Sequence, residues 1–346
     1  MADTPGAGGA GFLGELRDAV RGRAALMVTG ALVLQLAFVL SYVGAFHAPK
    51  PSEIPTGVVA PRAISGQLVQ KLGALPGTPL DTRAVRDEAE ARRLIDEREI
   101  DAALLVDPRR TTDTLLVASG SGASLAQAAT AVVTQAEKTE GRALRVQDVA
   151  PADRGDSRGL TSFYLVIGWC VGGYLCAAIL AVSAGARPAN THRAVIRLGA
   201  IAVYAIGSGL LGALIAGPLL DALPGGILPL WGLGALVVFA VGALTLALQG
   251  LAGIVGIGLA IAIVVVLGNP SAGGAYPYPL LPPFWRAIGP ALPPGAGTWS
   301  ARSISYFHGN ALTCPLLILS AWAVAGTAVA LACAVVRGRR GRAETG

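Results

Sequence analysis

Charge is what this 346-residue chain has least of: Asp, Glu, Lys and Arg make up 14% of it, while 53% is hydrophobic. That balance excludes an ordinary soluble domain, in which about a quarter of residues are charged. The scarcity is also uneven. No Asp, Glu, Lys or Arg occurs from Ala222 to Trp285, nor from Ser303 to Val336. Further charge-free windows lie within Arg23–Lys50, Arg158–Arg187 and Arg197–Asp221. Proton- and ion-coupled transporters generally need buried ionisable residues for coupling, and the membrane spans these runs would form hold no Asp, Glu, Lys or Arg well inside their boundaries. No G-x-x-x-x-G-K-[ST] loop is present to hold nucleotide phosphates, so any energy for transport must come from a partner. Cys170, Cys176, Cys314 and Cys333 fall in or beside the apolar runs, which leaves no disulfide framework or Cys/His metal cluster elsewhere. His47, His192 and His308 accompany no nucleophile or carboxylate pattern. Neither an enzyme nor a cofactor is expected.

What is there is length in the apolar runs. A bilayer is crossed by about 20 apolar residues in a helix. Four windows fit one crossing each and the longest fits two, which predicts six transmembrane helices: Ala24–Phe46, Thr161–Ala184, Leu198–Leu220, Ile227–Leu248, Leu251–Gly268 and Thr313–Val336. The fourth and fifth must be joined by a tight turn near Gln249–Gly250, because no polar loop separates them. The first reads as a retained anchor, since its apolar run is longer than a signal sequence needs and no cleavage site follows.

The net charge of +6 is a topology signal and not a nucleic-acid footprint. Residues 47–159 hold 15 basic and 16 acidic residues, close to balance. The other 12 basic residues lie in short connections or at the ends, and ten of them fall on one side of a six-helix arrangement. The exceptions are Arg286 and Arg302. This positive-inside bias places the N-terminus, the Gly185–Arg197 loop and the basic tail 337–346 in the cytoplasm of a multi-pass cell-membrane protein.

Residues 47–159 then form an extracytoplasmic domain between helices 1 and 2. "IPTGVVA", "IDAALLVD", "TLLVASG" and "LRVQDVA" read as strands. They alternate with helical stretches at "AISGQLVQKLGAL", "DEAEARRLIDERE" and "ASLAQAATAVVTQAEKTE", the second opened by a capping box of Asp87 and Glu90. The charged run from Asp81 to Arg110 reads as solvated helix faces. A balanced, cysteine-free α/β domain of this kind is expected to fold alone. The fold class is thus an α-helical integral membrane protein with a small inserted α/β domain. Within residues 1–23, Phe12, Leu13, Leu16 and Val20 share one face of a helix suited to the membrane interface.

Proline crowds the segment before the last apolar run. Residues 269–312 include Pro282–Pro283 and Pro293–Pro294, which bracket "FWRAIGPAL" as a short helix, with Trp285 at the interface and Arg286 reaching water.

Three stretches carry a family resemblance: "DEAEARRLIDEREIDAALLV", "GLTSFYLVIGWCVGGYL" and "GNPSAGGAYPYPLLPPFWRAIGPALPPGAGTWSARSISYF". With one helix, an α/β domain and five helices around them, the chain resembles ABC-2-type transporter permeases, in the branch of phage-infection-protein-like and nitrosoguanidine-resistance-like membrane proteins. The resemblance implies the permease subunit of an ATP-driven exporter. A separate cytoplasmic ABC ATPase would dock on Phe12, Leu16, Arg187, His192, Arg193 and Arg197. It also implies a homodimer, or a heterodimer with a related permease, in the lipid bilayer, with no nucleic-acid partner. An outer gate would be built from Pro282, Pro283, Phe284, Trp285, Arg286, Pro293 and Pro294, dipping back toward the membrane. The competing expectation is a membrane-anchored interaction or assembly protein whose domain binds a partner without transport.

Overall fold

The computed structural model describes residues 22–343. Phe12, Leu16 and the expected interfacial helix lie outside the described residues. Among the described residues, five helices are long and apolar enough to cross a membrane: Ala25–Phe46, Thr161–Ala184, Thr191–Leu219, Ile227–Ala252 and Thr313–Arg340. They suit a multi-pass membrane protein. We label the helices α1 (Gly22–Phe46), α5 (Thr161–Ala184), α6 (Thr191–Leu214), α7 (Ile227–Ala252), α8 (Val255–Ile261) and α11 (Thr313–Ala343), with α2–α4 and α9–α10 introduced below.

The expected fifth crossing is the exception. Seven residues of α8 run into seven of π-helix, Ala262–Gly268. At 1.5 Å per residue such a rod reaches about 21 Å, short of the roughly 30 Å hydrocarbon layer. The turn before it also lies later than expected. α7 continues through Gln249–Gly250 and ends at Gly253, whose φ of 63° suits a residue without Cβ. Gln249 stays helical because its buried amide donates to the Ala177 carbonyl at 3.1 Å, across on α5.

α7 is the hub of the bundle. It is apolar on every side, as a helix enclosed by others must be, and α5, α6 and α11 pack around it. Small residues set the spacing. A Cβ on Gly173 of α5 would lie 2.6 Å from the Val238 carbonyl oxygen, and one on Gly326 of α11 would lie 2.6 Å from the Leu244 nitrogen. α1 stands apart, only 6% buried, and packs against the π-helical stretch 262–268.

Residues 54–148 form the α/β domain. Its strands are β1 (Ile54–Val59), β2 (Leu80–Val85), β3 (Ala102–Leu105), β4 (Thr112–Val117) and β5 (Ala143–Asp148), in the sheet order β2-β1-β3-β4-β5. β3 and β4 pair antiparallel, while the other neighbours are parallel. Helices α2 (Arg62–Gly73) and α4 (Ala123–Thr139) cover one face, burying Leu72, Leu125, Ala129 and Val133 against Ile54, Val58, Leu104 and Leu115. α3 (Glu88–Asp96) covers the other with Ala91, Leu94 and Ile95. Asp87 caps α3 by accepting from the Glu90 nitrogen at 2.8 Å, and the Glu90 carboxylate accepts from the Arg86 nitrogen at 2.9 Å.

β2 is a strand that the sequence pattern hides. Leu80 and Val85 are buried, but Asp81, Arg83 and Ala84 between them are not, as befits an edge. The domain is also less self-contained than its composition suggests. Leu280 and Tyr276 of the proline-rich segment complete the core under α2 and α4, and Tyr306 and Phe307 complete the core under α3. Both faces of the sheet therefore borrow their closure from residues more than a hundred positions away.

Candidate functional site

The proline-rich segment folds into two short helices and their joints. α9 spans Pro283–Ile288, a 3-10 turn covers Gly289–Ala291, and α10 spans Pro293–Tyr306. Pro282 caps α9 and Pro283 is its first residue, while Pro293 and Pro294 open α10. The sequence suggested that the two proline pairs enclose one helix. Instead each pair starts one. Proline suits a helix's first turn, where its missing N–H has no intrahelical partner and its fixed φ is already helical. The pieces touch backbone to backbone: a Cβ on Gly295 would come within 2.0 Å of the Gly289 carbonyl oxygen.

α10 is set into the bundle. Ala296 and Ala301 belong to one buried cluster with Val166 and Trp169 of α5, Val237 of α7 and Leu319 of α11. Above it, Phe284 is exposed and packs edge-on against half-buried Trp285, with ring centroids 4.9 Å apart. Arg286, whose side chain is 32% exposed, reaches water and is also anchored. It pairs with Glu53 at 2.6 Å and donates to the Ser52 carbonyl at 3.2 Å, tying α9 to the start of the α/β domain.

Two arginines form the centre of the junction between that domain and α10. Arg98 follows α3 with a left-handed φ of 59°, which turns its side chain toward α10. Its Nη1 donates to the Trp299 carbonyl and the Ser303 hydroxyl, both at 2.8 Å, and its guanidinium lies 3.5 Å from the Trp299 ring centroid. Arg302, on α10 and 3% exposed, donates to the carbonyls of Gly273 at 2.6 Å, Gly274 at 2.8 Å and Gly159 at 3.1 Å. One residue thus clamps the beginning of the segment, α10 and the approach to α5. Beside it the Tyr306 hydroxyl donates to Asp156 at 2.7 Å, while Asp156 accepts from the backbone and hydroxyl of Thr161 at the first turn of α5.

Burial pushes the Arg98 guanidinium down to about 9, with Arg302 adding repulsion, and pushes Arg302 down to about 10. Both stay cationic at neutral pH. Burial pushes the Asp101 carboxyl up to about 6, against the pull of the two arginines. The charged run expected to be solvated therefore contributes half-buried Arg98 and Asp101 to the junction with α10.

Two cavities share the wall made by Tyr278 and Trp299, whose rings stack 6.1 Å apart. One is a small chamber of about 30 Å³ of mixed lining, with Arg98, Asp101, Ser121 and Arg302 beside Leu125 and Pro277. The other is an apolar cavity of about 540 Å³ between α10 and the first turn of α11, lined by Pro290, Ala296, Cys314, Pro315 and Ile318 as well.

The basic residues at the far end of the bundle are divided in their roles. Arg197, 5% exposed, donates to the Ala184 and Gly185 carbonyls at 2.7 Å, and Arg187 donates to the Leu251 carbonyl at 3.1 Å. Arg337 reaches the carbonyls of Pro188 and Gly250. These cations finish helix C-termini, where carbonyls lack partners. His192 and Arg193 remain exposed, on the first turn of a helix capped by Asn190. Of the expected docking residues, Arg197 is thus buried against its own chain.

Among the described residues no group of His, Cys, Asp or Glu is placed to hold a metal ion. No protein-family model, curated protein or solved structure matches the chain.

Proposed function

We propose that the chain is the membrane subunit of an ATP-driven exporter of the ABC-2 type, forming the substrate path and relying on a separate ATPase. The observation that carries this reading is the broken run from α9 through the 3-10 turn to α10, whose last, proline-opened helix is set among α5, α7 and α11 at the end of the bundle that bears the α/β domain. Irregular backbone among apolar helices is tolerated where it is buried in protein or lines a cavity, and here it does both. The segment closes the end of the path, with Pro282–Arg286 forming its rim and Pro293–Pro294 the entry into the bundle. The apolar cavity beside α10 favours a hydrophobic or amphipathic substrate over a hydrated ion. At the far end, exposed Arg187, His192 and Arg193 remain as the contact for an ATPase, with Arg197 bracing the loop from inside. Two copies, or one with a related permease, enclose the path in the cell membrane. Both termini are cytoplasmic because Val255–Gly268, although short, leads the chain back from the Arg187 end to the end that bears the α/β domain.

Affinity purification of the full chain from membranes tests this reading. A nucleotide-hydrolysing subunit should come with it, and alanine at both His192 and Arg193 should release that subunit. Purification of the intact chain without any ATPase, from cells that express its neighbours, would count decisively against it. A topology test is independent of the partner. On a cysteine-free background, a cysteine at Arg110 should label from outside and one at Arg193 only from inside.

The second reading, a membrane-anchored protein whose α/β domain binds a partner, draws on β5. This edge strand is exposed along almost its whole length, with Val146 44% exposed, and its outer edge is open to strand addition.

A further inference from the structure

Gln35 stands at the middle of the Ala25–Phe46 span and is exposed there. In hydrocarbon no water bonds its carboxamide, so its two N–H donors and its carbonyl need a partner from protein. Other polar side chains of the helices find one. Gln249, the second glutamine of the bundle, is fully buried and donates to the Ala177 carbonyl. On α1 itself Ser41 donates to the Val266 carbonyl, and the Tyr42 hydroxyl accepts from Asn269. Among the described residues Gln35 has no such bond.

The contacts of α1 leave room for that partner. Its covered side runs through Leu34, Ala37, Ser41 and Ala45 and meets residues 262–268. A helix turns about 100° per residue, so Gln35 lies roughly a quarter-turn from that side. Ala31, one turn before it, and Val39, one turn after it, are exposed as well, and so is Val28, two turns before. The small Ala31 beside the amide lets a second backbone approach closely. The side of α1 away from Gln35 presents Leu26, Val33 and Leu40, which are exposed and suit lipid.

A second copy of the chain meets the need of Gln35 better than an unrelated helix. Two copies insert in the same direction, because the same charge distribution orients both. Their Gln35 residues therefore lie at one depth, and a twofold axis along the membrane normal sets them opposite each other. A carboxamide is also its own complement, since the N–H of each donates to the carbonyl oxygen of the other. An unrelated helix would have to offer a polar group at that same depth. We propose that the Gln35 stripe of α1 is the contact between two copies of this chain, with the paired carboxamides fixing its register. The inference rests on the two-copy arrangement proposed above, selecting the homodimer and naming its surface, and it needs no ATPase.

The test uses the full chain in membranes on the cysteine-free background. Ala31→Cys and Val39→Cys keep Gln35 and should cross-link to a dimer under a membrane-permeant oxidant, whereas Val33→Cys and Leu40→Cys should stay monomeric. A second measurement follows energy transfer between otherwise wild-type chains carrying donor or acceptor dyes at the C-terminus, in phosphatidylcholine vesicles. Gln35→Leu should need about tenfold more protein per lipid to reach the same transfer, the scale of an interhelical side-chain hydrogen bond. Gln35→Asn should stay near wild type. The leucine variant only makes α1 more apolar, so it still inserts. Cross-linking at all four positions or at none, or unchanged transfer in Gln35→Leu, would overturn the proposal. Labelling of Gln35→Cys by a water-soluble maleimide would overturn it by placing Gln35 on a watery path, and an Ala31→Cys adduct with a different protein would overturn the choice of partner. Co-purification of an ATPase is read separately from all of these, so the exporter reading and the contact surface fail independently.

Discussion

Replacing Arg302 by Gln isolates the clamp at the junction. The guanidinium donates to three carbonyls, those of Gly159, Gly273 and Gly274, and all three residues are buried. A buried acceptor left without a donor costs about 1–3 kcal/mol, and the two N–H donors of Gln leave at least one of the three unserved. Removing a buried cation returns part of that loss, because Arg302 has no carboxylate bonded to it. The net expectation is about 3–5 kcal/mol of destabilisation, the range for breaking a buried charged network by deleting one member. Arg302→Lys should lose roughly half as much, since one ammonium keeps the charge but lacks the planar fork. Arg286 supplies the control. It pairs with Glu53 at 2.6 Å, but that acid's side chain is 57% exposed, and such pairs contribute about 0–1 kcal/mol. Chemical unfolding in micelles, monitored by tryptophan fluorescence, should rank Arg302→Gln well below Arg302→Lys, with Arg286→Gln near wild type. Should Arg302→Gln fall within about 1 kcal/mol of Arg286→Gln, the clamp has been misjudged.

Gly295→Ala places a Cβ within 2.0 Å of the Gly289 carbonyl oxygen and should destabilise by about 1–3 kcal/mol in the same unfolding assay; wild-type stability would mean that α9 and α10 do not touch there. A fragment covering residues 51–154 lacks Tyr276, Leu280, Tyr306 and Phe307, so it should bind a hydrophobic dye and melt without a sharp transition, whereas a cooperative, dye-silent melt would show that the sheet closes itself. Alanine at both Pro282 and Pro283 should change stability by less than about 1 kcal/mol, because both sit where a helix begins and no hydrogen bond is gained by their removal. A larger loss in unfolding would assign them a packing role that their position does not suggest.

Most of the architecture was legible because it rests on local patterns. Apolar runs bounded by charge mark the long helices, and short apolar runs mark β1, β3 and β4. The failures have equally specific causes. β2 carries Asp81 and Arg83 outward from an edge, so only Leu80 and Val85 record its burial. The turn after α7 moved to Gly253 because Gln249, polar in isolation, finds its acceptor on α5. Proline pairs punctuate the chain, but the same residue ends one helix and starts the next, and only the register of the flanking segments decides which.

The junction itself was half legible. A basic residue on the wrong side of a positive-inside pattern has to be stabilised by something near it, and the two such residues, Arg286 and Arg302, both prove to be engaged: one with Glu53, the other with three buried carbonyls. That exception was visible in the charge distribution alone. Arg98 was not, because it sits in a run of alternating charges that reads as a solvated helix face. Its burial depends on a left-handed backbone just past the end of α3, a conformation that a large side chain adopts only when its surroundings hold it there. Its partners, Trp299 and Ser303, stand 201 and 205 positions away. A contact between elements so distant leaves no periodicity behind, and the strained φ that permits it is written in no residue preference. The polar centre of the molecule is therefore a tertiary property, recoverable from the sequence only at the end where Arg302 breaks the charge rule.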